Sequence, residues 1–394
     1  MSGPLAGLRV LDLGTRIAAP FCAGLLGEMG ADVIKIEQPG TGDFMREIGP
    51  FEDGHSLFWA VEGRGRRSVT LDLRTPEGQE LFRRMAATAD VVVENFRPGT
   101  LERWHIAPGD LDRRLVVVRI STFGQDGPLA TRPGLDRVGI GYGGLMHLTG
   151  YADRPPVRVG VTLSDYLTGV FAANAAVAAL YHRDVRGGDG AVVDAFLYGS
   201  VLRILEWTLA AYDRLGVVRS REGNRLANSA PLDNYPTADG KFVCIVAGSD
   251  ANFARLCKAM ARADLVDDER FARLADRAAR SDEINELVAS WTRSLPAVDV
   301  EAACVAHDVP VATAYTAADI FADPHMQARG DLVTVDDPVL GPVRQQAPFP
   351  RFVGEPVVTP TGAPELGAHT RAVLHELLGL GDDELDRLEA EGIT

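Results

Sequence analysis

Two aspartates stand out among the side chains that could do chemistry. Asp165, in GVTLSDYLTG, lies at or near the first turn of a long segment of helical character. A carboxylate there meets the positive end of the helix and nearby amides, which keep it ionised, the form a nucleophile must take. Aspartate is also a favoured helix N-cap, so a purely structural role accounts for the same residue. Asp136, in RPGLDRVGIGYGGLMHLTG, is a second carboxylate. Near the first, it could position a substrate or shuttle a proton; on its own, it would cap a helix or pair with an arginine.

Other segments are weaker. ENFRPG, residues 94 to 99, follows an apolar run and falls where a strand would end, the place at which open α/β sheets bind ligands. Asn95 and Arg97 there could hold an amide or a phosphate, although Asn, Pro and Gly also make ordinary turns. GTRIAAPFCAG follows the first strand-like run but lacks the GxGxxG spacing of a dinucleotide loop, so an NAD enzyme is disfavoured. The helix start near Pro20 still offers amides to an anion. His147 and His182 have no HExxH or paired spacing, and no GxSxG elbow completes a triad; a metal site is unsupported.

These residues need a scaffold. LRVLDL, DVIKIE, SVTLDL, DVVVEN and LVVVRIS alternate with helical stretches such as FCAGLLGEMG and EGQELFRRMAATA. That alternation predicts βα units and a Rossmann-like, mostly parallel sheet covered on both faces. An Ala-rich helix follows Asp165, then a strand AVVDAF and one long amphipathic helix, GSVLRILEWTLAAYDRLG. The polar, Gly-, Pro- and Asn-rich stretch 220–240 reads as a linker. The expectation is an α/β large domain formed by 1–219 with 325–394, and a small α+β domain over 241–324.

The chain has 394 residues, with 46% apolar and 24% charged side chains, as in an ordinary globular protein of two domains. No run approaches the ~18–20 apolar residues of a membrane span. No basic, then apolar, then small-residue leader opens the sequence, which predicts a cytoplasmic address. Cys22, Cys244, Cys257 and Cys304 show no CxxC spacing, so they read as reduced, buried thiols. A net charge of −15 argues against a nucleic-acid partner, while local arginines such as Arg64, Arg66 and Arg67 can still meet a small anion.

Read in order, PLAGLRVLDLG, GADVIKIEQPGTGD, RRSVTLDL, ADVVVENFRPG, STFGQDGP, RPGLD, GLMHLTG, Asp165 with its Ala-rich helix, and LGAHTRAVL resemble the family III CoA-transferases. That group includes formyl-CoA and carnitine CoA-transferases and the related 2-methylacyl-CoA racemases. The resemblance runs nearly end to end. It implies a two-domain subunit, an interlocked homodimer, and coenzyme A or acyl-CoA as substrate, with no metal and no NAD. It implies CoA contacts at Arg16, Ile17, Arg66, Asn95, Phe96, Arg97 and Arg103. Many members carry arginine after KIE where this chain has Gln38, leaving Arg64 or Arg97 to supply that phosphate contact.

The implied reaction is acyl-CoA:carboxylate CoA transfer, with Asp165 passing through an aspartyl anhydride and an aspartyl-CoA thioester, and Asp136 beside it. The partners are an acyl-CoA donor and a carboxylic acid acceptor. Oxyanion donors are expected from the backbone of residues 14–18 or from a small-domain loop. A racemase-like isomerase is the alternative on the same fold, but that branch has a histidine where this chain has Leu135. A non-catalytic CoA-binding protein, with Asp165 only a cap, is another. The glycine run of formyl-CoA transferases is missing; NRLANSAPLDNY stands there, which argues against oxalate and formate and leaves succinate-like dicarboxylates or larger acyl acids open, with Arg225 or Asn228 as candidate carboxylate ligands.

Overall fold

The computed structural model describes residues 3–354 and 359–394. The chain divides into two compact units, one of residues 1–146, 159–211 and 328–394, the other of 147–158 and 212–327.

The first unit is built on six strands: β1 (Arg9–Asp12), β2 (Asp32–Glu37), β3 (Arg67–Thr70), β4 (Val91–Glu94), β5 (Val116–Ser121) and β6 (Val192–Phe196). All neighbouring pairs are parallel, in the order β3-β2-β1-β4-β5-β6. This is the Rossmann-like sheet expected from the alternation of strands and helices. Because side chains alternate across a strand, each VVV run serves two cores. Leu11, Ile34, Val69, Val92 and Val117 face one core, with helix α2 (Pro76–Ala86) and helix Thr370–Leu378. Val10, Val33, Val91, Val93, Val116 and Val118 face the other, with helices α1 (Ala18–Glu28) and α4 (Leu163–Val185). Strand order reverses between β1 and β4, so the chain leaves these neighbouring strands in opposite directions and a crevice opens at their carboxyl ends.

Helix α4 is the element that carries Asp165. Ser164, Thr168, Gly169, Ala172, Ala173, Ala176 and Leu180 are buried, a stripe at helical spacing made mostly of small residues. Small side chains let α4 lie close against α1. A β-carbon on Gly169 would stand 2.9 Å from Phe21 Cδ1 and 3.0 Å from the Ala18 carbonyl oxygen. By length and composition alone α4 would suit a bilayer. It is instead packed within this unit against α1 and β5.

Two expectations change. The helix read over 199–216 is two, Leu197–Arg203 and Thr208–Leu215, because Glu206 takes φ 53°, a left-handed conformation that a right-handed helix cannot continue through. The stretch 220–240 is not simply a linker: Leu232–Pro236 is a strand of the second unit, paired antiparallel with Phe242–Val246, which also pairs with Val311–Thr313. Helices Asp250–Ala259, Ser281–Thr292 and Ala297–Val305 pack on that sheet through Phe253, Leu256, Ile284, Val288 and Val300. The Pro-rich region near 324–360 forms the hairpin Leu332–Asp337 with Gly341–Gln346, and 355–358 lie outside the described residues.

The close approach of α1 and α4 gives a direct test. Gly169→Val forces atoms into the Ala18 carbonyl and the Phe21 ring, so it should destabilise the protein by about 1–3 kcal/mol, read as a lower urea midpoint with an unchanged slope.

Candidate active site

The loop after β1 is held by side chains from three other elements. Gly14 N–H donates to Asp12 Oδ1 (2.9 Å), Thr15 N–H to Asn95 Oδ1 (2.8 Å) and Arg16 N–H to Asp43 Oδ1 (2.9 Å). Asn95 Nδ2 returns a bond to the Thr15 carbonyl (2.8 Å). Beneath the loop lies Lys35, with no exposed surface. Its ammonium donates to the Gly14 carbonyl (2.6 Å) and faces Asp43 (2.9 Å) and Asp12 (3.5 Å). Burial pulls the lysine down, but the carboxylates of Asp12, Asp43 and Glu37 outweigh it and hold it above its ordinary value. Burial pushes the Asp43 carboxyl up, and Lys35 and the amides of Met45 and Arg16 bring it below its usual range.

Arg16 ends this loop with φ 66°, rare outside glycine, and its guanidinium lies 4.1 Å over the centre of the Phe44 ring. Ile17 is buried with Met45, Trp59 and Ala363. Helix α1 begins at Ala18, and the Phe21 ring meets Tyr166 of α4 edge-on at 4.8 Å. The loop that carries Arg16 and the first turn of α4 are thus brought side by side.

Asp165 is the third residue of α4. The N-cap position belongs to Thr162, which makes no side-chain cap bond, and the half-buried Asp165 carboxyl has no hydrogen bond among the described residues. Capping therefore does not account for it. Asp136 takes that role instead. It begins helix α3 (Asp136–Tyr142), is buried, and its Oδ1 accepts from both Ser164 N–H and Ser164 Oγ–H at 2.8 Å. Gly139 makes the approach possible, since a β-carbon there would lie 3.1 Å from Ser164 Oγ and 2.7 Å from Leu197 Cβ. Two carboxyl groups are thereby stationed around one helix start, one bonded and one free.

The sequence suggests a helix end that keeps Asp165 ionised; the structure reverses the balance. Burial, then the neighbouring charge of Asp136, push its carboxyl up to about 7, against the pull of Arg16. Next to it, Tyr166 Oη donates to Glu62 Oε1 (2.8 Å), and burial raises both groups. An apolar cavity of about 760 Å³ lies along this face of α1 and α4, lined by Phe21, Leu163, Val170 and Val177 with Glu62 and Arg66.

The remaining candidates separate into two groups. Asn95 is a loop clamp, as above. Arg66 is buried, donating to Asp12 Oδ2 (2.9 Å) and the Pro20 carbonyl (2.5 Å), while its buried Nε–H has no partner among the described residues. Phe96 packs on Trp104, and its N–H donates to Glu94, whose carboxyl burial pushes to about 7 despite its bond from Arg119. Arg97 and Arg103 are exposed on the ENFRPG turn and the short helix after it, Arg103 donating to Thr100 Oγ1 (2.9 Å). Arg64 is paired with Glu28 (2.5 Å), so Arg97 is the freer of the two substitutes for the arginine missing at Gln38. In the second unit Arg225 is occupied by Asp233 (2.6 Å) and Asp282 (2.5 Å), which leaves its guanidinium little to offer a substrate; Asn228 is exposed.

Sequence reasoning missed Lys35, Asp43, Ser164 and Glu62. Lys35 alone left a signal, a charged residue in the middle of an otherwise apolar strand. The backbone expected to stabilise oxyanions also shifts: the amides of residues 14–16 are spent on Asp12, Asn95 and Asp43, while those of Ile17, Ala18 and Ala19 have no acceptor among the described residues.

Known proteins share this arrangement of chain. A succinyl-CoA–D-citramalate CoA-transferase of Chloroflexus aurantiacus is 42% identical over 394 residues, covering 99% of this chain and 98% of that protein. A succinate–glutarate CoA-transferase of Agrobacterium fabrum is 36% identical over 388 residues, covering 95% and 96%. The crystal structure of a CAIB/BAIF family protein from Brucella suis superposes with a TM-score of 0.85 at 34% identity, covering 96% of this chain and all of that one. The sequence profile of CoA-transferase family III matches residues 5–370, and with the site lying in that span the chain belongs to this family and is a CoA-transferase.

Proposed function

We propose that the protein moves coenzyme A from a dicarboxylyl-CoA, succinyl-CoA foremost, to a carboxylic acid acceptor through covalent intermediates on Asp165. The observation that carries this reading is the Asp165 carboxyl itself: half-buried, free of hydrogen bonds among the described residues, and held at a helix start that Asp136 caps from outside. A capping or ion-paired aspartate would be tied up; this one is available. The relatives support the substrate class, since their names pair succinate or succinyl-CoA with a second dicarboxylic acid.

The chemistry needs no proton to leave or arrive. Ionised Asp165 attacks the thioester carbonyl, the C–S bond breaks, and a mixed anhydride forms with release of CoA thiolate. The thiolate attacks the Asp165 carbonyl of that anhydride, giving an aspartyl-CoA thioester and the free donor acid. The acceptor carboxylate attacks this thioester, and the released thiolate then takes the acceptor's acyl group, restoring the Asp165 carboxylate. Each tetrahedral intermediate carries an oxyanion, for which the unspent amides of Ile17, Ala18 and Ala19 at the start of α1 are candidate donors. The burial that raises the Asp165 carboxyl also keeps water from the anhydride, which would otherwise hydrolyse. The exposed apolar residues Val170, Phe171, Tyr181 and Val185 on α4 support the homodimer that belongs to the same reading.

Two results are expected. Incubation with succinyl-CoA, quenching with hydroxylamine and peptide mass spectrometry should place the modification on Asp165, and Asp165→Ala should lose transfer by several orders of magnitude. Because only the ionised group attacks, the rate of first adduct formation should fall about tenfold per pH unit below about 7. Modification elsewhere, or transfer retained by the variant, would sink the mechanism. Stability should move the opposite way. The folded carboxyl binds its proton more tightly than the unfolded one, so the protein loses stability as pH rises from about 4 through about 7. Asp165→Asn escapes that loss and should therefore raise the melting temperature more at pH 8 than at pH 5 in a calorimetric scan.

A further inference from the structure

Arg16 differs from the arginines around it. Arg46 is paired with Glu37 (2.8 Å), Arg64 with Glu28 (2.5 Å) and Arg66 with Asp12 (2.9 Å). The Arg16 guanidinium has no carboxylate partner among the described residues; it is exposed and rests on the Phe44 ring. Its position is nonetheless fixed at considerable cost. The residue holds a left-handed φ of 66°, its N–H is bound by Asp43, and the preceding residue is clamped on both sides by Asn95. Backbone strain of this kind persists where the surroundings over-determine it, and it collects at functional sites. The contacts of Phe21 with Tyr166 and of Gly169 with Ala18 set this loop beside the first turn of α4.

A pre-placed, unpaired guanidinium beside a carboxylate nucleophile answers a problem specific to dicarboxylyl thioesters. Such a substrate brings a second carboxylate, which would repel ionised Asp165 and raise its carboxyl further. A planar fork of N–H donors binds a carboxylate in two-point fashion and offsets that charge, and a ring beneath it keeps the fork oriented. We infer that Arg16 selects the acyl group, its guanidinium holding the free carboxylate at the far end of a four- or five-carbon dicarboxylyl thioester while Asp165 attacks the near end. This rests on the reaction proposed above, and it assigns Arg16 to the acyl moiety and not to the CoA contact that the family resemblance implies.

The test compares succinyl-CoA with butyryl-CoA, which has the same number of acyl carbons and no second carboxylate. Single-turnover labelling of Asp165 is followed by mass spectrometry in the unaltered protein and in Arg16→Met. The ratio of the two rates should fall on the order of 10- to 100-fold in the variant, because succinyl transfer loses a charge-assisted contact that butyryl transfer never had. Equal slowing of both thioesters, at an unchanged melting temperature, would overturn the assignment and return Arg16 to CoA binding or loop support. If Arg16→Met unfolds, Arg16→Gln, which keeps a stem over Phe44 and a polar end, is read by the same ratio. Failure of the unaltered protein to label Asp165 with either thioester removes the underlying mechanism and this assignment with it; labelling with an unchanged ratio removes the assignment alone.

Discussion

The site depends on a buried lysine. Lys35 sits in the middle of β2 with no exposed surface, and a charge in such a place is tolerated only with close, well-aligned partners. It has them in Asp12 at the end of β1, Asp43 in the following turn, and the carbonyl of Gly14. Those partners in turn receive the amides of Gly14 and Arg16, so the ammonium indirectly fixes the loop between β1 and α1. Replacing such a group by an apolar one would leave the buried Asp43 carboxylate without its cation and Asp12 with Arg66 alone, a loss of about 3–5 kcal/mol by comparison with other broken buried pairs. The same atoms that hold the sheet's carboxyl edge together therefore hold the loop that carries Arg16.

From that edge the rest follows by packing. A fixed loop sets the start of α1, and a stripe of glycine and alanine on α4 allows the two helices to touch. Their contact brings the head of α4 to the crevice where strand order reverses. Asp136, from α3, then satisfies an α4 amide that the Thr162 side chain at the N-cap leaves unbonded. The division of labour matters chemically. One carboxylate spends an oxygen on structure, while the other has neither oxygen engaged among the described residues. Burial and the neighbouring charge of Asp136 raise the free one.

Much of the fold was legible in the residues. The alternation of apolar β runs with helical stretches predicted the parallel sheet, because strands buried on both faces must read as unbroken valine and isoleucine. Asp165 was singled out because an acidic residue at a helix start is where a nucleophile can be kept accessible. What failed, failed for local reasons. Residues 199–216 carry helical periodicity throughout, and nothing in the pattern marks the left-handed turn at Glu206. Residues 220–240 have a loop-like composition, yet a partner strand with Val243 and Ile245 makes Leu232–Pro236 a strand. Nor does the pattern show how Arg66 and Asn95 are held: their partners, Asp12 and Thr15, are 54 and 80 residues away in the chain.

The sequence by itself determined the class of fold and the family and marked Asp165 as a candidate carboxyl, since these rest on local pattern and on motifs whose order survives in one dimension. The tertiary structure decided the state of that carboxyl. Whether Asp165 is ionised, capped or free depends on Asp136, Arg16 and the depth of burial, and none of these is its neighbour in the chain. It also decided which of several similar arginines remain unpaired. Ion pairing is a matter of distance in space, so Arg66 closed on Asp12 while Arg16, held by a strained turn over an aromatic ring, kept its charge available.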